Sequence, residues 1–155
     1  MTAHFTLRAG SHLDLQAAAA VIAQSRRAAF PLIPPSVHDD DVELAPYLAT
    51  RLEAGASVLL ASRGSEMCGV MVATETSIEQ LYIAHSAHRL GIGAQMVAHA
   101  KEASTGTLDL WTFQSNTPAR RFYESMGFAV VAMTDGENEE GEPDVQYRWE
   151  RVGFS

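Results

Sequence analysis

The alternation of apolar and polar positions divides the chain into short strands and amphipathic helices. Phe5 to Arg8 reads as a first strand, and Ser11-His12-Leu13-Asp14 has the form of a capping box with aspartate in place of the usual Glu or Gln. The run LDLQAAAAVIAQSRRAAF is rich in helix formers and places Leu15, Ala18, Ala19, Ile22 and Ala23 on one face, which predicts a helix ending before Pro31. FPLIPPSVHDDD then breaks regular structure, because its prolines remove donors and restrict their neighbours. Leu44, Leu48 and Leu52 recur every four residues up to Gly55 and predict a second helix, with Pro46 tolerable only in its first turn.

SVLLAS, a turn at Arg63-Gly64-Ser65, and MCGVMVAT read as an antiparallel pair leading through Glu75-Thr76 into a fourth strand from Ile78. A polar turn and the step Gly91-Ile92-Gly93 then open a helix whose apolar positions Ile92, Met96, Val97 and Ala100 share a face. LDLWTF sets Leu108 and Leu110 against Trp111 and Phe113, as a fifth strand does. Asn116 or Thr117 can cap a short helix with Pro118 in its first turn and Gly127 at its end. Phe128 to Met133 and Val145 to Arg151 read as two last strands joined by the acidic loop TDGENEEGEPD, with Val145, Tyr147 and Trp149 on one face. The order β-α-α-β-β-β-α-β-α-β-β is α+β, a mixed sheet with helices on both faces.

Composition narrows the partners. The chain has 155 residues, 46% of them hydrophobic, which suits a single domain over 1–155; a chain of this size buries roughly 68–70% of its unfolded surface. Eleven Lys and Arg against 19 Asp and Glu give a net charge of −8, which opposes a general affinity for nucleic acid or anionic membrane and favours a cationic partner. The lone Cys68 excludes an internal disulfide and fits a reducing compartment. MTAHFTLRAG lacks the charged and apolar regions of a signal peptide, and no apolar run approaches the roughly 18 residues of a membrane span, so a soluble, cytoplasmic protein is expected. The six histidines show no metal-ligand spacing and the GENEEGEPD loop lacks the alternating pattern of a calcium site, so no metal is expected.

The chemistry gathers at Ile78 to Ala100. A strand joined through glycines to a helix N-terminus presents bare amides that favour an anion. Taken alone, this cradle suits nucleotides, phosphosugars and coenzyme A equally. A dinucleotide-binding oxidoreductase is disfavoured, because Gly91-Ile92-Gly93 lacks the third glycine and the βαβ context is missing.

His88-Arg89-Leu90-Gly91-Ile92-Gly93, directly after a strand and opening a helix, resembles the acyl-CoA pyrophosphate motif of the GNAT superfamily of N-acyltransferases, with histidine where the family has Gln or Arg. A second run, Asn116, Ala119, Phe122, Tyr123, Gly127 and Phe128, resembles that family's Asn-x-x-Ala-x-x-Phe-Tyr-x-x-x-Gly-Phe motif, and the two in this order and spacing are a specific signature. The resemblance covers essentially the whole chain, Arg8 and Asp14 included. It implies a mostly antiparallel sheet splayed between the fourth and fifth strands, with the pantetheine arm of acetyl-CoA lying in the gap beside the backbone of Leu81, Tyr82 and Ile83. It assigns pyrophosphate contact to the amides of Leu90, Gly91, Ile92, Gly93 and Ala94. His88, Arg89, Arg120 and Arg121 are further candidates for the cofactor's phosphates.

The chemistry implied is direct attack of a neutral amine on the thioester, with no acyl-enzyme. Tyr123 resembles the family's general acid. Glu79 is the candidate base, with Glu75 and His85 as alternatives. Because Glu79 shares strand parity with Leu81 and Ile83, it can equally point away from the substrate. Trp111 and Phe113 either line the acceptor side or pack the core. The acceptor is an amine set by the loops at Pro31–Asp41 and Thr134–Asp144. A non-catalytic acyl-CoA-binding or sensor domain is the competing reading, and dimerisation through the last strands is an option within the family.

Overall fold

The computed structural model describes residues 4–29, 41–136 and 141–152. Most of the proline-rich loop, 30–40, and the tip of the acidic loop, 137–140, lie outside the described residues.

Strand β1 (Thr6–Ala9) leads into the predicted capping box. The Ser11 hydroxyl accepts from the Leu13 amide, and Asp14 accepts from the Ser11 amide at 2.8 Å. The box caps a 3-10 turn, His12–Asp14, from which α1 (Leu15–Ala28) continues. Arg8 also donates to Asp14, at 2.8 Å, tying β1 to the helix entrance. Its hydrogen bond, with that from Ser11, holds the carboxyl down at about 2. Helix α2 (Asp41–Glu53) begins earlier than its leucine repeat predicts, so Pro46 sits in its second turn and not its first. There it leaves the carbonyl of residue 42 without an N–H partner.

Strands β2 (Ser57–Arg63), β3 (Glu66–Ala73) and β4 (Ile78–Ile83) join β1 in an antiparallel sheet of order β1-β2-β3-β4. Strands β5 (Thr107–Phe113), β6 (Ala129–Met133) and β7 (Asp144–Glu150) form a second antiparallel sheet with β7 in the middle. Among the described residues the sheets touch at one end. Ser77 and Asp109 form a parallel bridge, and the Asp109 and Thr105 amides donate to the Thr76 and Glu75 carbonyls at 2.9 and 3.0 Å. From that hinge β4 and β5 diverge, leaving two strand edges facing one another across a gap.

Each face of the sheets has its own core. Leu15, Ala18, Ala19, Ile22 and Ala23 of α1 pack with Leu44 and Leu48 of α2 against Val58, Leu60, Val70 and Val72. On the opposite face, Ile92, Met96, Val97 and Ala100 of α3 (Ile92–Ala103) span both sheets, meeting Met71 and Ile78 of one and Leu108, Val145 and Tyr147 of the other. Truncating Leu48 or Ile92, both essentially fully buried, would cost roughly 2–5 kcal/mol. Helix α4 (Thr117–Ser125), capped by Asn116, joins this second core through Tyr123, and Phe128 just beyond the helix joins it too.

Candidate active site

A cleft of about 800 Å³ occupies the gap between β4 and β5, running from the C-terminal end of α1 to the N-terminal ends of α3 and α4. The polarity of its β4 wall follows from the strand register. Tyr82 lies opposite Val70, and the Ala84 amide donates to the Cys68 carbonyl at 2.8 Å, so even-numbered residues of β4 spend their backbone groups on β3. Leu81 and Ile83 present theirs to the cleft. Of the expected backbone contacts, Tyr82 is therefore corrected: its amide and carbonyl face β3, and its hydroxyl accepts from Arg26 at 3.1 Å.

The open carbonyl of Ile83 already has a partner. His88 Nε2 donates to it at 3.0 Å, which sets the tautomer of the ring and pins the loop after β4 to the strand's end. Arg89 follows at φ 68, the one non-glycine left-handed residue among those described, and Gly91 at φ 83 is the N-cap of α3. Left-handed steps turn successive amides toward one side and form a concavity that suits anions. No side chain caps α3, so its first-turn amides stay open. Gly91 is required by its φ. Space is tight at Gly93, since a Cβ there would stand 3.3 Å from the Phe122 ring and would push it back by a few tenths of an ångström. The two sequence motifs meet at that contact. Leu90 turns its side chain into the core beside α3.

Helix α4 forms the floor. The Asn116 carboxamide oxygen accepts from the Ala119 amide at 3.3 Å, and Pro118 occupies the first turn. Ala119, Phe122 and Tyr123 line the cleft. The Tyr123 ring is held edge-on by Phe122 and Phe128, and its hydroxyl makes no hydrogen bond among the described residues. Burial pushes the phenol well above its ordinary value, so it stays protonated. Arg120 is a correction: its Nε donates to the Tyr147 hydroxyl at 3.0 Å and it does not line the cleft. Arg121 is also absent from the lining. The basic groups that do line it are His85, His88 and Arg89, all beside the cradle.

Glu79 lies on the α1–α2 side. A bulge between the Val72–Gln80 and Ala73–Ile78 pairs inserts Glu79 as an extra residue, which breaks its parity with Leu81 and Ile83. The strand thereby aims Glu79 at α2, where Arg51 grips both carboxylate oxygens at 2.7 and 2.6 Å. Arg51, Arg26, Gln80 and Ser25 were not singled out in the sequence. Arg51, Arg26 and Gln80 have partners far off along the chain, Ser25 Oγ has none among the described residues, and no local spacing marks any of them. Trp111 is half exposed and lines the cleft with Phe113, so core packing does not account for it. Cys68 is buried in the core, where desolvation pushes its thiol up, the opposite of an activated nucleophile. Glu75 does not line the cleft. Among the described residues no group of three or more His, Cys, Asp or Glu is placed to hold a metal ion, and no helix is long and apolar enough to cross a membrane.

An edge strand open to one more extended chain, with an anion cradle at its end, is a site whose shape suits an extended, phosphate-bearing arm. Residues 54–130, which hold β2 to α4 and thus the whole cradle and Tyr123, match the acetyltransferase (GNAT) domain family, and this part of the chain belongs to it. No curated protein matches it significantly. Among solved structures, the ribosomal-protein-S18-alanine N-acetyltransferase of Escherichia coli superposes with a TM-score of 0.76 at 15% identity, covering 98% of this chain and 97% of that one. The yncA product of Salmonella typhimurium, solved with its cofactor acetyl-CoA, gives 0.73 at 15% identity over 98% and 96% of the two chains. The PaiA N-acetyltransferase of Thermoplasma acidophilum, in complex with coenzyme A, gives 0.73 at 15% over 95% and 99%. At these identities the likeness is one of fold.

Proposed function

We propose that the protein transfers acetyl from acetyl-CoA to a primary amine of a small molecule, peptide or protein, by direct attack within a ternary complex. The observation that carries this reading is the single cleft, in which an open β4 edge, the anion cradle and the Tyr123 hydroxyl converge. The acetyl-CoA and coenzyme A complexes among the structural neighbours support the choice of cofactor.

In this reading the amides of Gly91 to Ala94 hold the pyrophosphate, aided by Arg89, while the amide and carbonyl of Leu81 and the amide of Ile83 pair with the pantetheine arm. The amine nitrogen forms a bond to the thioester carbon, whose oxygen is stabilised by the strand backbone as charge develops. The C–S bond breaks and Tyr123 gives its proton to the departing thiolate. The proton lost by the amine passes to Glu79, each of whose oxygens keeps a second lone pair beside the Arg51 contact, directly or through water. Self-association through the last strands belongs to the proposal, supported by the exposed Val130, Val131 and Met133 along edge strand β6. A strictly monomeric species on sedimentation would overturn that part.

Initial velocities with acetyl-CoA and a reactive amine both varied test the mechanism. Intersecting double-reciprocal lines are expected. Parallel lines, the pattern of an acyl-enzyme, would contradict direct transfer.

A further inference from the structure

The α1–β4 side of the cleft is polar by composition and yet has almost no free polar group. Glu79 is the sole carboxylate among the described lining residues, and Arg51 donates to each of its oxygens. The Gln80 carbonyl oxygen and the Tyr82 hydroxyl both accept from Arg26, at 3.2 and 3.1 Å. What is left on this wall is Ser25 Oγ, which is buried without a hydrogen-bond partner. Beside it Ala28 and Ala29 offer only methyl groups, and across the gap stands the half-exposed Trp111 with Phe113. Leu108 and Leu110 face the α3 core, so alternation along β5 puts Trp111 and Phe113 on the opposite face of the strand, toward the acceptor half.

Among the described residues of this half, a ligand meets one acid–base pair and a largely apolar surface formed by Ala28, Ala29, Trp111 and Phe113. A second ammonium would lose its hydration with no further carboxylate among the described residues to receive it, whereas an aryl or alkyl body would be buried against Trp111. Resting on the acetyltransferase reading, we propose that the acceptor is a small monoamine carried on an apolar or aromatic body, and that Trp111 is the residue that selects it.

The test compares 2-phenylethylamine with 1,4-diaminobutane and spermidine as acceptors for the full-length protein, followed by thiol release. Wild type should show kcat/KM for the aryl amine at least roughly tenfold above either polycation, a size of discrimination that an apolar pocket can supply. Trp111→Ala should erase most of that preference by raising the KM of the aryl amine, with KM for acetyl-CoA unchanged as the check that the domain is intact. Trp111→Phe, which keeps a ring, should retain it. A preference for the polycations, or a Trp111→Ala enzyme with unaltered selectivity, would overturn the inference while leaving the acetyltransferase reading standing. Acetyl-CoA binding by calorimetry with no transfer to any amine would overturn both.

Discussion

Tyr123 holds a proton that it gives up reluctantly. Its burial among Phe122, Phe128 and Tyr147 favours the neutral phenol, so the acid stays loaded across the working range and the group brings no alkaline fall in kcat up to pH 10. The same shift makes proton donation to a thiolate, whose conjugate acid titrates near 8.5, unfavourable and its catalytic contribution modest. Tyr123→Phe should therefore lower kcat by up to about a hundredfold with little change in the KM for acetyl-CoA. Full kcat at neutral pH in that variant would remove Tyr123 from the mechanism. That Tyr123, Gly91 and Gly93 line one cleft was legible in the sequence because the spacing within each motif is local. Arg120 misled because a sequence shows a charge but not that a tyrosine 27 residues away will take it. His88, a departure from the family motif, is explained by a single contact, its donation to the open Ile83 carbonyl.

At the scale of elements, the bulge in β4 decides what Glu79 is for. Strict alternation would put Glu79 with Leu81 and Ile83 against α3, but the inserted residue turns it to α2 and into the grip of Arg51. Sequence reasoning could not find this, since a one-residue bulge leaves no mark in an otherwise apolar strand. In the proposed mechanism Arg51 acts through Glu79 as a positioning residue. Glu79→Gln and Arg51→Met should each lower kcat about tenfold or more, and the double variant should be no slower than Glu79→Gln alone. Additive losses would show two independent roles, and Arg51→Lys should recover part of the rate. Another junction, Lys101 of α3, donates to the Met126 carbonyl at the end of α4 at 2.6 Å and lies over the Phe128 and Trp149 rings. It couples the helix that carries the cradle to the helix that carries Tyr123.

For the molecule as a whole, the alternation of apolar and polar positions was sufficient to place every helix and strand to within a few residues, because each amphipathic face has one core to bury itself in. The separation of two sheets hinged at Ser77 and Asp109 was not in that pattern; it followed from the family resemblance, because strand signals do not say which neighbours fail to pair. Charge works the same way. A net charge of −8 suits a cationic acceptor and opposes coenzyme A, so the proposed site relies on short-range amides, beside which the lining basic residues His85, His88 and Arg89 gather. The central claim is that this cleft moves an acetyl group from sulfur to nitrogen. Incubation with acetyl-CoA and a panel of primary amines, measuring free thiol and N-acetylated product together, tests it most directly. The structure predicts equal amounts of the two, dependent on the amine; tight cofactor binding with no amine-dependent thiol release would mark a binding domain and contradict the claim.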